Sequence, residues 1–268
     1  MQEHWLTASN LNRIAQMSNS HVFYGISAMD KLLSSSVLRG RPRGGVGFLI
    51  KKNIIQYISF KLLQERFAII VLGKTILVNI YMPTVNSDVE FNMIIDIIAQ
   101  IELIIAQFPT HSVLCAGDLN TNLLSNSRSA IYINAFMNNH GLVACNNSVS
   151  KNKNALKFTY SHSTLNCSSY IDYFLVSSTL IKSINDFDVI DLALNASDHN
   201  PIWLDLEMEF VNTNSAINKV CNTSKDTVNN VNLRWDHADL ASYYSATGAC
   251  VSQLLIETST LLNKIEKK

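Results

Sequence analysis

Residues 67–116 constrain the fold more than any other part of the chain. Phe67–Leu72 and Thr75–Met82 are apolar runs of β character split by Gly73-Lys74, the mark of a tight hairpin. Pro83 stops the second run, because it has no N–H to give to a ladder. From Ser87 to Phe108 the apolar period becomes helical. Phe91, Ile94, Ile95, Ile98, Ile101, Ile104 and Ile105 form one stripe, with Asp96 and Gln100 off it. Ser87 or Asp88 is the expected cap. Ser112–Ala116 is apolar on both faces, which predicts a short strand in the middle of a sheet. Hairpin, helix and central strand in this order demand a sheet with a helix packed on it.

The flanking sequence extends that pattern. Ser9–Met17 reads as a short helix with Leu11, Ile14 and Ala15 at helical spacing and Ser9 as its cap. Gly44–Ile50 turns into a strand. Ser127–Asn139 reads as a second long helix, closed by Gly141. Phe158–Ser161, Tyr170–Val176, Asp186–Leu192 and Pro201–Phe210 are further strand candidates. In the last, Ile202, Leu204 and Leu206 alternate with Trp203, Asp205 and Glu207, as a strand with one wet face requires. The fold class expected is α/β (α+β): a mixed sheet, with two sheets face to face and helices outside, rather than a doubly wound parallel sheet. After Phe210 the texture changes. Residues 211–232 are rich in Asn, Thr, Ser and Lys and read as a polar linker. Residues 233–268 regain a weak helical pattern through Leu240, Tyr243, Tyr244, Val251, Leu254 and Leu255. The expected division is a domain over 1–210, a linker over 211–232 and a helical tail over 233–268.

With 47% hydrophobic residues in 268, the chain can build one sizeable core. Its formal net charge is zero, so global charge is silent about a nucleic-acid partner. Local charge is not. Between residues 31 and 66 stand Lys31, Arg39, Arg41, Arg43, Lys51, Lys52, Lys61 and Arg66 against a lone acid, Glu65. Such a stretch suits either phosphate tracking or a solvated surface. The five cysteines are scattered and show no C-x-x-C pair, which fits a reducing compartment and argues against a disulfide scaffold or structural zinc. Neither a signal peptide nor a membrane span is expected, since the most apolar stretch, Phe91–Phe108, is broken by Asp96 and Glu102.

Two short motifs carry chemistry: Gly117-Asp118-Leu119-Asn120 and Ser197-Asp198-His199-Asn200-Pro201. Asp118 and Asn120 stand two apart at a strand end, so persistent extended geometry would turn both to one face. Asp can hold an attacking or metal-bound water, and Asn can offer its amide hydrogens to a phosphate oxygen. The same residues are also ordinary turn formers. In the second motif, neighbouring Asp198 and His199 point differently, so one could bind metal while the other moves a proton or stabilises charge; a plain surface loop reads the same way. Asp172 opens the apolar strand Tyr170–Val176. A carboxylate there either faces water or takes a partner, for which an imidazole is suited. Tyr81 ends its strand before Pro83, where its hydroxyl could reach a phosphate. Glu3 is a hard oxygen donor suited to magnesium.

In order along the chain, Gln2-Glu3, Tyr81-Met82-Pro83, Gly117-Asp118-Leu119-Asn120, Ile171-Asp172-Tyr173 and Ser197-Asp198-His199 resemble the endonuclease/exonuclease/phosphatase superfamily with the DNase I-like fold. Gln2-Glu3-His4-Trp5-Leu6, Gly40-Arg41-Pro42-Arg43-Gly44-Gly45-Val46, Asn79-Ile80-Tyr81-Met82-Pro83 and Ser169, three before Asp172, resemble in particular the endonuclease domain of non-LTR (LINE-type) retrotransposon polyproteins. Arg234-Trp235-Asp236 resembles the segment that follows that domain, before the reverse transcriptase. The resemblance implies a four-layer α/β sandwich over about residues 1–210. It implies Glu3 and Asp198 at a Mg²⁺ (or Mn²⁺), Tyr81 and Asn120 on the scissile phosphate, Asp118 on the attacking water, and His199 oriented by Asp172. It also implies Arg39, Arg41, Arg43 and Ser169 on nucleic acid, and DNA as a substrate nicked in the nucleus to leave a 3′-hydroxyl. A phosphatase of the same fold, acting on inositol phosphates or phospholipids, and an inactive remnant that binds nucleic acid are the alternatives. Family members carry a strand bearing a site Asn before the Gln-Glu motif. The chain starts at that motif, so a domain N-terminally truncated by one strand, with weakened stability, is the expectation.

Overall fold

A computed structural model describes residues 1–29, 33, 44–145, 158–162, 166–190, 197–208 and 210, all within the unit Met1–Lys219. The linker and tail expected beyond residue 210, Asp30–Lys31 and Arg39–Arg43 lie outside the described residues. The elements are α1 (Asn12–Ala15), β1 (His21–Ile26), β2 (Val46–Lys51), β3 (Ile58–Leu63), β4 (Phe67–Leu72), β5 (Thr75–Tyr81), α2 (Asp88–Gln107), β6 (Ser112–Asp118), α3 (Arg128–Asn139), β7 (Leu142–Ala144), β8 (Tyr160–His162), β9 (Cys167–Ser169), β10 (Asp172–Ser177), β11 (Ile184–Val189) and β12 (Ile202–Leu206).

The predicted hairpin forms β4 and β5, with Gly73 at φ +57° in its two-residue turn. These strands sit inside a six-stranded mixed sheet of order β3-β4-β5-β6-β10-β7. β5 and β6 are parallel, joined by α2 as the crossover, while the other neighbours are antiparallel. The predicted central strand is central, and runs two residues further than its apolar core, to Asp118.

Alternation along these strands sorts the side chains onto two faces. Phe67, Ile69, Val71, Ile76, Val78, Ile80, Val113, Cys115, Tyr173 and Leu175 face α2 and α3. On α2 the stripe buries Ile94, Ile98, Ile101 and Ile104 and also Ile97, each stabilising by about 2 kcal/mol relative to exposure. Ser87 caps α2 by accepting from Val89 N, and Ser127 caps α3 by accepting from Ala130 N. On the opposite face, Ile70 and Leu72 pack against Ile50 of the β1–β2 ribbon. Val176 packs with Phe187 and Val189 of the β11–β12 ribbon. Outside β1 lies α1, with Ile14 buried. This is the α/β architecture expected, and beside the six-stranded sheet the described residues form three antiparallel ribbons, β1–β2, β8–β9 and β11–β12.

Two local expectations change. The first helix is a single turn after a 3₁₀ segment, Ala8–Asn10, and Ser9 does not cap it; its N-cap position is Leu11, with no side-chain bond. Strands β1, β3, β7 and β9 were not anticipated. No helix among the described residues is long and apolar enough to cross a membrane. Cys115 and Cys145 are buried free thiols, and Cys167 is an exposed one.

Candidate active site

Sheet register builds the site. Tyr81 at the end of β5 is the partner of Asp118 at the end of β6, and Asp118 is the partner of Asp172 at the start of β10. Three polar side chains therefore stand in one row across three adjacent strands, on the face that carries the ribbons. The row is tight because Gly117, at φ +141°, lets β6 approach β5: a Cβ there would come 2.0 Å from Ile80 O and 2.5 Å from Gln2 Nε2.

The residues after β6 make a turn that folds onto Asp118. Asn120 adopts φ +47°, a left-handed conformation that Asn tolerates. Its backbone N donates to Asp118 Oδ1 at 2.7 Å, and its Nδ2 donates to Asp118 Oδ2 at 2.9 Å and to Met82 O at 2.8 Å. Thr84 Oγ1 donates to Asn120 Oδ1 at 3.1 Å. Of the two readings open in the sequence, Asp118 and Asn120 meet through the turn and not through extended geometry, and both amide hydrogens of Asn120 are engaged within the protein.

Asp172 holds the other end of the row. Its partner is the expected imidazole: His199 Nδ1–H donates to Asp172 Oδ2 at 2.9 Å. Thr159, fully buried, accepts from the backbone N of Ile171 at 3.1 Å and of Asp172 at 3.0 Å through its hydroxyl. Asp198 is exposed beside His199, and its charge reaches the imidazole.

Glu3 arrives from the first residues. Gln2 bridges Val46 of β2, and Gly47 N donates to Met1 O at 3.0 Å. Asn79, a polar residue buried in the β5 core run, gives its Nδ2 hydrogens to Met1 O and Gly47 O, each at 2.9 Å, and accepts from Gln2 Nε2. That clamp brings Glu3 to Tyr81, whose hydroxyl donates to Glu3 Oε1. The Arg66 guanidinium lies over the Tyr81 ring, 4.8 Å from its centroid. Glu3, Tyr81, Thr84 and Arg66 open onto a cavity of about 710 Å³ that runs along α2 past Glu90 and Asp96.

Electrostatics follow from this crowding. Burial, then the charge of Asp172, pushes the Asp118 carboxyl up to about 7. Burial pulls His199 down, but the Asp172 bond and the charges of Asp172, Asp118 and Asp198 outweigh it, and the imidazole is pushed up to about 9. Burial and the bond to Glu3 raise Tyr81. Near neutral pH the site thus holds a carboxyl poised to exchange a proton beside a charged imidazole.

The structure brings together Glu3, Tyr81, Asp118, Asn120, Asp172 and His199, with Asp198 at the rim. Ser169 lies on β9 opposite Tyr160, whose ring packs on His199. Arg39, Arg41 and Arg43 lie outside the described residues. Sequence reasoning gave no part to Thr159 or Tyr160, placed Arg66 only within a basic stretch, and did not see Asn79 and Gln2 as a clamp. The signal available was Asn79 itself, a lone amide inside an apolar strand.

Comparison with known proteins bears on the fold that carries this site. Among solved structures, the chain is similar to the 3′ phosphatase NExo from Neisseria bound to product DNA hairpin, at 15% identity and TM-score 0.59, covering 77% of this chain and 87% of that one. It is also similar to the 3′-5′ exonuclease NExo from Neisseria meningitidis, at 17% identity and TM-score 0.58, with 77% and 88% covered. A third is an AP endonuclease from Archaeoglobus fulgidus, at 14% identity and TM-score 0.55, with 78% and 88% covered. At these identities the likeness establishes the fold. No curated protein matches the sequence. A family model matches residues 1–199, a span that holds every strand-end group of the row and closes on His199, and the chain belongs to the Endonuclease/Exonuclease/phosphatase family.

Proposed function

We propose that this chain is a divalent-metal-dependent phosphodiester hydrolase that nicks DNA, of the kind borne by LINE-type retrotransposons and acting on nuclear DNA. The observation that carries the reading is the Asp172–His199 pair standing beside Asp118 at the ends of neighbouring interior strands. The retrotransposon reading is supported by the wording of the motifs around Gln2, Gly40 and Asn79.

Asp118, near 7, takes the proton of an attacking water. His199, charged and held by Asp172, presents its Nε2–H to a phosphate oxygen and stabilises charge as it develops. Tyr81 donates to the same phosphate. Asn120 holds Asp118 in the free protein and turns an amide hydrogen to phosphate when substrate enters.

The residues fit a hard cation. Oxygens of Asp118 and Asp172 lie within 4.8 Å of one another, beside the imidazolium of His199. The charge of Glu3 reaches Asp118, and that of Asp198 reaches His199. Glu3 and Asp198 would hold Mg²⁺, or Mn²⁺ in its place, with Asp118 alongside. Such an ion neutralises charge on the phosphate and the leaving oxygen.

The test is nicking of supercoiled plasmid by the purified protein, with Mg²⁺ or EDTA, beside Asp118→Ala and His199→Ala. Metal-dependent nicking lost in both variants is expected. Folded wild-type protein that leaves the plasmid intact overturns the reading, and hydrolysis of inositol phosphates alone replaces it with the phosphatase reading.

A further inference from the structure

We propose that Tyr160 is a positioning residue for His199, so that the start of the short strand β8 sets both halves of the Asp172–His199 pair. This rests on the reading of His199 as a hydrolytic group. The backbone of the Ser197–Asn200 loop is laid along β8. Asn200 N donates to Thr159 O at 2.6 Å, and Ser161 N donates to Asp198 O at 2.8 Å. Between these bonds Tyr160 and His199 face each other as an antiparallel bridge. A pair flanked in this way is of the non-hydrogen-bonded type, in which facing side chains come closest. The two rings meet accordingly, with centroids 5.0 Å apart and planes at 60°.

The residue before it acts on the other partner. Thr159 accepts from the backbone N of Asp172 and fixes where the carboxylate starts. Thr159, the residue before β8, and Tyr160, its first, therefore address the two members of a 2.9 Å hydrogen bond. Asp172 grips the imidazole at one edge. Tyr160 packs against the ring and adds a second restraint on its orientation. Packing requires the aromatic ring, not the hydroxyl, so Phe serves as well as Tyr.

The experiment compares Tyr160→Ala and Tyr160→Phe in the full chain, by steady-state cleavage of a DNA duplex and by the rate at which diethylpyrocarbonate modifies His199, read by peptide mass spectrometry. In the Ala variant, kcat falls by about tenfold or more while KM stays within about twofold. His199 is modified several-fold faster, by order of magnitude. The Phe variant matches wild type in both. If Ala does not fold, Tyr160→Thr, suited to a strand, replaces it. Unchanged modification of His199 in the Ala variant overturns the proposal whatever kcat does. A loss confined to KM assigns the ring to substrate and also overturns it, as does a Phe variant as impaired as Ala. A folded wild type that cleaves no DNA defeats the proposed function, and the modification rates still decide this inference.

Discussion

The two ends of the candidate site are held by different means. Tyr81 and Asp118 end two parallel strands at the centre of a six-stranded sheet, with core packing on both faces. His199 stands on a loop whose bonds run to the three-residue strand β8, to Asp172 and to the Tyr160 ring. The first arrangement makes geometry a by-product of folding, so whatever disturbs it disturbs the fold. The second makes geometry a local matter, so it can be lost while the fold survives. Catalytic groups on loops positioned by a rigid scaffold are the common solution, and this chain combines both kinds at one row.

The sharpest way to break the strand end is Gly117→Ala. The new methyl has no room against Ile80 O, and φ +141° is strained for any residue with a Cβ. We expect a loss of about 3 kcal/mol or more in urea unfolding, together with loss of hydrolysis. At the loop end, His199→Ala lowers the cleavage rate by about 10²–10⁴-fold and, above about pH 9, where the stability tied to the imidazole's charge is already lost, leaves unfolding nearly unchanged. Equal damage to stability in both variants would erase the contrast.

A titration sharpens it further. In EDTA, the folded Asp118 carboxyl loses its proton at about 7 against an ordinary 3.8. The folded chain therefore keeps a proton that the unfolded chain has already released. The stability this confers is full below pH 3.8 and lost as pH rises through about 7. Asp118→Asn removes that part of the pH dependence, a change of up to roughly 4 kcal/mol across the window. His199, raised from 6.5 to about 9, acts in the same direction at higher pH, and its share is lost as pH climbs through about 9. Unfolding curves taken every half unit of pH separate the two. The smallest effect expected is that of Thr159→Val, which leaves two buried N–H groups without their acceptor and costs about 1–3 kcal/mol, with a kcat loss greater than the loss of stability predicts.

The strands and helix that bury both faces or a full stripe were legible in the sequence. The hairpin Phe67–Tyr81, α2 and the central β6 follow from apolar spacing alone, because water is excluded from them on the pattern the sequence writes. The missed strands are held by pairing. β1 is half-buried throughout, β3 lies at a sheet edge, and β7 and β9 have three residues each. Their neighbours create them. The site divides along the same line. Asp172 was readable as a carboxylate placed where an unpaired one costs energy, with an imidazole as a suited partner; Asp118 and His199 were readable from their motifs, and their pairing with the rest of the site came from the resemblance. Thr159 and Tyr160 carry no such mark. A threonine and a tyrosine in a short strand are unremarkable until the loop that ends in Pro201 folds onto them.

The parallel pair β5–β6 has a bearing on how the chain could be rebuilt. The crossover returns to the sheet through Phe108–His111, at the edge opposite the Tyr81–Asp118 row. Tyr81 and Asp118 are aligned by ladder bonds between their strands and not by the length of what joins them. A break or insertion opened at that connection would leave the reacting groups in register.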